Sequence, residues 1–112
     1  MQILSEKIAK VDLFKISDVI FDENMVKAVV DIGKRLVAID APMHVDLEQM
    51  LLQNGSKQED LWGINLHPED EEFVEFDSLI NIRPKQNKHL YIDDENTRNQ
   101  ILEVVNEWIS TT

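Results

Sequence analysis

Two neighbouring stretches restrict this chain more than any other feature. Leu61 to His67 and Phe73 to Arg83 alternate in side-chain character with a period of two. That period fits a β-strand, which sends successive side chains to opposite faces. Pro84 follows at once and lacks the N–H that a continuing ladder would use. Between them lie Pro68 and the run Glu69-Asp70-Glu71-Glu72, four like charges that belong in water. The pair therefore reads as an antiparallel hairpin with an exposed acidic turn.

A second hairpin is expected upstream. Met25 to Asp31 alternates Val26, Ala28 and Val30 with Lys27, Val29 and Asp31. Gly33-Lys34 reads as a two-residue type II′ link, and Arg35 to Asp40 as the partner strand. Residues 1–4 read as a short edge strand. Three helices are expected around these strands. The first runs from Val11 to Phe21, where Leu13, Ile16 and Ile20 recur at helical spacing. The second runs from Asp46 to Asn54, with Asp46 as cap, Gln49 completing a capping box, Val45 and Met50 as a staple, and Asn54-Gly55 as the stop. The third follows Asp93-Asp94 and carries the stripe Ile101, Val104, Val105, Trp108 and Ile109. The expected fold is α+β: a mainly antiparallel sheet of two hairpins with three helices, packed largely on one face. Trp62 and Trp108 are read as core, each needing a partner for its indole N–H.

At 112 residues, residues 1–112 are read as a single α+β domain. With 43% hydrophobic residues the chain holds enough apolar surface for one core. It has no cysteine, which removes disulfides, thiolate metal sites and cysteine nucleophiles. A cytoplasmic location is expected, since Met1-Gln2-Ile3-Leu4 is too short for a signal core and no apolar run approaches a membrane span. Acids outnumber bases 22 to 11, a formal charge of −11, which opposes binding to nucleic acid.

If the strands register suitably, Asp31, Asn65, His67, Asp77, Asn81 and Arg83 line one polar sheet face, and these are the candidate binding residues. An antiparallel sheet covered on one side ordinarily shows such residues to water on the other. Asn65, His67, Asn81 and Arg83 nevertheless carry directional hydrogen-bonding groups, and Gly63 leaves a gap beside them for a ligand or another backbone. Metal ligation by Asp31, Asp40, Asp77 or His67 has no HExxH or DxDxDG spacing behind it, so no metal site and no cofactor are assigned. His44 reads as a loop histidine and Ser78 as a core hydroxyl. Arg83, Lys85, Lys88 and His89 form a local basic cluster that either holds an anion or, by preference, neutralises the acidic turn.

The segments Gly55-Ser56-Lys57-Gln58-Glu59-Asp60-Leu61-Trp62-Gly63-Ile64-Asn65-Leu66-His67-Pro68, Val30-Asp31-Ile32 and Glu75-Phe76-Asp77-Ser78-Leu79-Ile80-Asn81-Ile82-Arg83-Pro84 together resemble a family of short prokaryotic proteins known only as a domain of unknown function. The resemblance covers nearly the whole chain and implies no activity, cofactor or partner. In that family the loop after Arg-Pro reads like Gln-Gly-Asn-Arg-Ser-Arg; here Gln86-Asn87-Lys88-His89-Leu90 lacks the Gly and both Arg, which weakens any anion-binding role for it. The His-Ala-Asp-like start of the family's second helix is matched by His44-Val45-Asp46.

The leading expectation is a ligand-binding or protein-interaction domain, with a small polar ligand and a homo-oligomer formed through exposed sheet edges. The alternatives are a metal-dependent or acid–base hydrolase using Asp31, His67, Asp77 and Arg83, and a regulator presenting its acidic surface to a basic protein.

Overall fold

The alternation at Val26–Asp31 and Leu61–Leu66 does form two paired strands, and everything else is arranged around them. The computed structural model describes residues 1–20 and 24–111. In chain order the strands and α-helices are β1 (Gln2–Ile3), β2 (Ile8–Ala9), α1 (Leu13–Ile16), β3 (Val26–Asp31), β4 (Leu36–Ile39), α2 (His44–Gln53), β5 (Leu61–Leu66), β6 (Val74–Glu75), α3 (Glu95–Trp108) and β7 (Ile109–Ser110). A five-stranded antiparallel sheet has the order β1-β4-β3-β5-β6, and β2 and β7 pair in parallel beside it. The fold is α+β, built on the two expected hairpins. Among the described residues no helix is long and apolar enough to cross a membrane.

Register decides which residues meet. Val30 pairs with Trp62 and Ala28 with Ile64, so the apolar positions of both strands share one face. Ile101, Val104 and Val105 of α3 and Leu13 of α1 pack there. The opposite face carries Val29, Ala38 and Leu61, and Leu47 and Leu51 of α2 bury it. Two helices thus lie on one face and the third on the other. The face expected to meet water is covered, and Val29 and Leu61 on it are fully buried. Burying a leucine is worth roughly 1.5–3 kcal/mol, so α2 has ample reason to dock.

Four local expectations are corrected. The first helix is one α-turn preceded by a 3-10 turn at Lys10–Asp12, and it stops at Ser17. The Asp18 and Val19 N–H groups, needed to continue it, donate instead to Asp40 Oδ1 at 2.8 and 2.9 Å. The end of that expected helix at Phe21 lies outside the described residues. The β3–β4 link spans residues 32–35 rather than two residues, because Asp31 Oδ1 accepts from both Gly33 and Lys34 N–H at 2.9 Å and folds the turn itself. Its left-handed residue is Arg35 (φ 59°), and a Cβ on Gly33 would displace the Asp60 carboxylate that lies against it.

The second helix begins at His44 with Met43 as its cap residue and no side-chain cap bond, so Asp46 sits inside the first turn and meets the helix dipole instead. The fourth strand breaks after Glu75. Ser78 caps a 3-10 turn at Leu79–Asn81 by accepting from Ile80 N–H at 3.3 Å. The space left by Gly63 admits this turn, since a Cβ on Gly63 would stand 2.6 Å from Ser78 Cβ and Oγ. The other helix termini follow the sequence: Asp94 caps α3 by accepting from Thr97 N–H at 2.9 Å, and Gly55 adopts φ 91° after α2.

Candidate functional site

Asn65 is the residue around which a site can be built. It lies on β5 opposite Lys27 of β3, on the face that α2 covers. Its Nδ2 donates to Glu75 Oε1 at 2.8 Å and to the Asp77 carbonyl at 3.1 Å. Both partners are acceptors, which fixes the amide orientation. Oδ1 is consequently turned the other way, where it is buried and accepts no hydrogen bond. A buried acceptor left unpaired costs roughly 1–3 kcal/mol.

His44 is the ionisable neighbour of that oxygen. Its Nε2 lies 2.7 Å from the Ile64 carbonyl, which only accepts, so Nε2 carries the proton. Burial lowers the His44 pKa, Lys27 pushes it the same way, and the Ile64 and Asn65 carbonyls oppose this. The neutral ring has already given its single N–H to Ile64. Asn65 Oδ1 lies within reach of that ring, whose pKa it raises.

These groups line a cleft of about 550 Å³ between the start of α2 and the 3-10 turn after Ser78. Lys27, His44, Asn65 and Asp77 supply its polar part. Met43, Val45, Leu79 and Leu90 supply an apolar rim, and all four are strongly exposed, Leu79 by 74%. Large apolar side chains facing water together, around convergent polar groups, are the usual make-up of a ligand pocket. Asp77 is half-buried, and its carboxyl is raised above the ordinary value by burial first and then by the charge of Glu75.

His67 is tied to this group without sharing the cleft. Its Nε2 stands 3.3 Å from Glu75 Oε1, the oxygen that Asn65 also binds, and its Nδ1 stands 3.8 Å from Asp70. The ring lines a separate cleft of about 620 Å³ together with Phe73, Phe76 and Tyr91.

Asn81, Arg83 and Asp31 are committed to the fold. Asn81 Oδ1 accepts from Gly63 N–H at 2.8 Å, and its Nδ2 donates to Gly63 O at 2.9 Å. Arg83 donates to the carbonyls of Leu61, Gln58 (2.6 Å) and Ile80 (3.2 Å) and lies 4.2 Å over the Trp62 ring. The edge of β5 beyond β6 is thus closed by side chains, which removes strand that a second copy would extend. Asp31 is fully buried in the β3–β4 turn, where Oδ2 also accepts from Ser56 Oγ at 2.6 Å. Of the six sequence candidates, the structure brings only Asn65 and Asp77 into one cleft. No common centre for the Asp31, His67, Asp77 and Arg83 set of the hydrolase reading is formed. Among the described residues no group of three or more His, Asp or Glu is placed to hold a metal ion.

Sequence reasoning missed His44, Lys27 and Glu75 as members of the site, and the apolar rim. It also expected a partner for both indoles. Trp108 Nε1 donates to the Arg35 carbonyl at 2.8 Å, whereas Trp62 Nε1 is buried without one. In the basic loop, His89 pairs with Asp93 at 2.5 Å rather than with the acidic turn. Asn87 knots that loop by donating to the carbonyls of Asn81, His89 and Tyr91.

The family described as a protein of unknown function (DUF5674) covers residues 2–108. No curated protein and no solved structure matches the chain.

Proposed function

Since the chain belongs to this family, whose description carries no activity, we propose from the geometry that it is a binding module that takes a small molecule in the cleft at Asn65. The observation that carries this reading is the cleft itself, where Lys27, His44, Asn65 and Asp77 meet the exposed apolar side chains of Met43, Val45, Leu79 and Leu90. An apolar ligand body covers Met43, Val45, Leu79 and Leu90, and its polar end meets the polar groups of the cleft. Lys27, Asn65 and His44 are mounted on β3, β5 and the first turn of α2, so most of the polar part is held in place before any ligand arrives.

A fragment screen by amide NMR tests this. Bound fragments are expected to shift the amides of His44, Asn65 and Leu79, and Asn65→Leu is expected to weaken them at least tenfold while the chain still folds. Binding that maps elsewhere, or that is equally tight to Asn65→Leu, overturns the reading.

A further inference from the structure

We infer that the outer edge of β6 is a docking strand for an extended, basic segment of another protein. The ladder fixes which groups face outward. His67 N–H donates to the Phe73 carbonyl at 2.7 Å, and Asn65 stands opposite Glu75. Bonded pairs alternate along an antiparallel ladder, so the Val74 N–H and carbonyl between them point away from β5. Another stretch of chain does run along that outer side, but only past Val74. Ile92 N–H donates to the Phe76 carbonyl at 3.1 Å, Ser78 N–H donates to the Leu90 carbonyl at 3.2 Å, and Tyr91 bridges Asp77. In that register the place opposite Val74 belongs to Asp94, where the chain turns instead into α3 with Asp94 as its cap. Among the described residues no group bonds to the Val74 N–H or carbonyl. A strand edge left open in this way is a template for another strand.

The edge is short, so its surroundings decide what docks. It opens onto the cleft of about 620 Å³ that β6 forms with α3. Phe76, Leu102 and Val105 give the cleft an apolar wall, and Tyr91 meets Phe76 edge to face with ring centres 6.3 Å apart. Asp70, Glu72 and Glu75 also line it, and no lysine or arginine does. Part of that charge is answered from within the chain. His67 stands against Asp70 and Glu75, while Arg98 and Lys10 lie over the Tyr91 and Phe73 rings at 5.3 and 5.9 Å. The rest is open: Asp70 and Glu75 stay 68% and 47% exposed, and Glu72 has no ion pair among the described residues. A second copy would bring the same acids and a charge of −11 to this edge and be repelled. An extended segment sends successive side chains to opposite sides. One that alternates apolar and basic residues therefore lays the first set on the apolar wall and turns the second to the carboxylates.

The test titrates the full chain with an acetylated, amidated hexapeptide of alternating lysine and valine, reading amide NMR shifts. A glutamate–valine counterpart and a lysine–valine peptide methylated on every backbone nitrogen serve as controls. The basic peptide is expected to shift the amides of Val74, Phe76 and Leu102, and to lose about tenfold in affinity between about 0.05 and 0.5 M salt. Glu72→Lys, at an exposed position, is expected to weaken it at least fivefold. Val74→Pro removes the outward donor and spares the bonds to β5, and is expected to weaken it comparably. The methylated peptide, which keeps the charge and cannot donate to the Val74 carbonyl, is expected not to bind, and it tests strand pairing even where the proline variant fails to fold. No binding of the basic peptide, equal affinity of either control, or indifference to Glu72→Lys overturns the inference. So does binding that shifts His44 and Leu79 instead. A Val74 amide that moves with the concentration of the chain alone would make a second copy the occupant and overturn it as well.

Discussion

Asn81 pairs with the backbone of Gly63 as a neighbouring strand would: one side-chain amide accepts the Gly63 N–H at 2.8 Å and donates to its carbonyl at 2.9 Å. The β6 strand pairs with β5 only at Asn65 and Leu66, so the Gly63 peptide has no strand partner on that side. Asn81 is fully buried and also donates to Leu90 O at 3.2 Å, which ties the loop to the sheet. Asn81→Ala leaves the Gly63 donor and acceptor without these bonds. Stability is expected to fall by about 3 kcal/mol, since each unsatisfied group costs ~1–3 kcal/mol. Asn81→Asp, which keeps the shape and loses the donor, is expected to be no better. Urea unfolding measures both.

Gly63 is the counterpart of that contact. A Cβ there meets Ser78 Cβ and Oγ at 2.6 Å and Ile80 Cγ1 at 3.0 Å, none of which is the far end of a flexible chain. Gly63→Ala is therefore expected to push the 3-10 turn off β5, with a loss of about 1–3 kcal/mol from overpacking. Ser78 and Ile80 also line the cleft at Asn65, so the same variant is expected to weaken ligands at that cleft. Unchanged affinity in a folded Gly63→Ala protein would show that the cleft does not depend on the position of this turn.

The strands β3 and β5 and the helix α3 were legible because their side-chain periods are long enough to be unambiguous. The stretch from Val74 to Arg83 was not. A two-residue strand followed by a 3-10 turn leaves Phe76, Ser78, Ile80 and Ile82 at alternate positions, the same pattern a long strand would leave. The signal that separates the two readings is Gly63, whose missing side chain marks the approach of another backbone. Asn65 and Asp77 were legible as members of one face. His44 was not, because its role depends on α2 starting two residues before Asp46 and lying over Ile64, a tertiary fact with no local sequence signature. Asp31 and Arg83 were misplaced for a related reason: each bonds to residues distant in sequence, Ser56 in one case and Gln58 and Leu61 in the other.

His44 gives the fold a pH dependence with a definite sign. Burial, helped by Lys27, lowers its pKa from the ordinary 6.5 against the pull of the Ile64 and Asn65 carbonyls. Below about pH 6.5 the unfolded chain binds a proton that the folded chain refuses, so stability falls as pH drops toward the depressed folded value. His44→Asn, which cannot titrate, is expected to lack this decline between pH 6.5 and 5, whatever its stability at pH 7. Urea midpoints of both proteins across that range decide it; parallel curves would show that His44 does not carry the effect.

Arg83 closes the rest of the β5 edge, and its chemistry sets the last expectation. The guanidinium reaches three carbonyls, those of Leu61, Gln58 and Ile80, while its plane lies over Trp62 at 4.2 Å. Burial lowers its pKa and the charge of Glu48 opposes this, yet a guanidinium keeps its proton at any working pH. Arg83→Lys preserves the charge and loses the flat fork. One ammonium cannot reach carbonyls on three segments and stack on an indole at once. The lysine variant is expected to lose about 2 kcal/mol, from one or two buried carbonyls left unpaired and the lost stacking. Arg83→Met, of similar length and uncharged, separates packing from hydrogen bonding: if it is as stable as the native chain, the carbonyl contacts contribute nothing net. Trp62 is nearly buried beneath the guanidinium, so its fluorescence is expected to change in both variants before any global unfolding. Native fluorescence and native stability in Arg83→Lys together would mean that charge alone, without the planar fork, holds this edge.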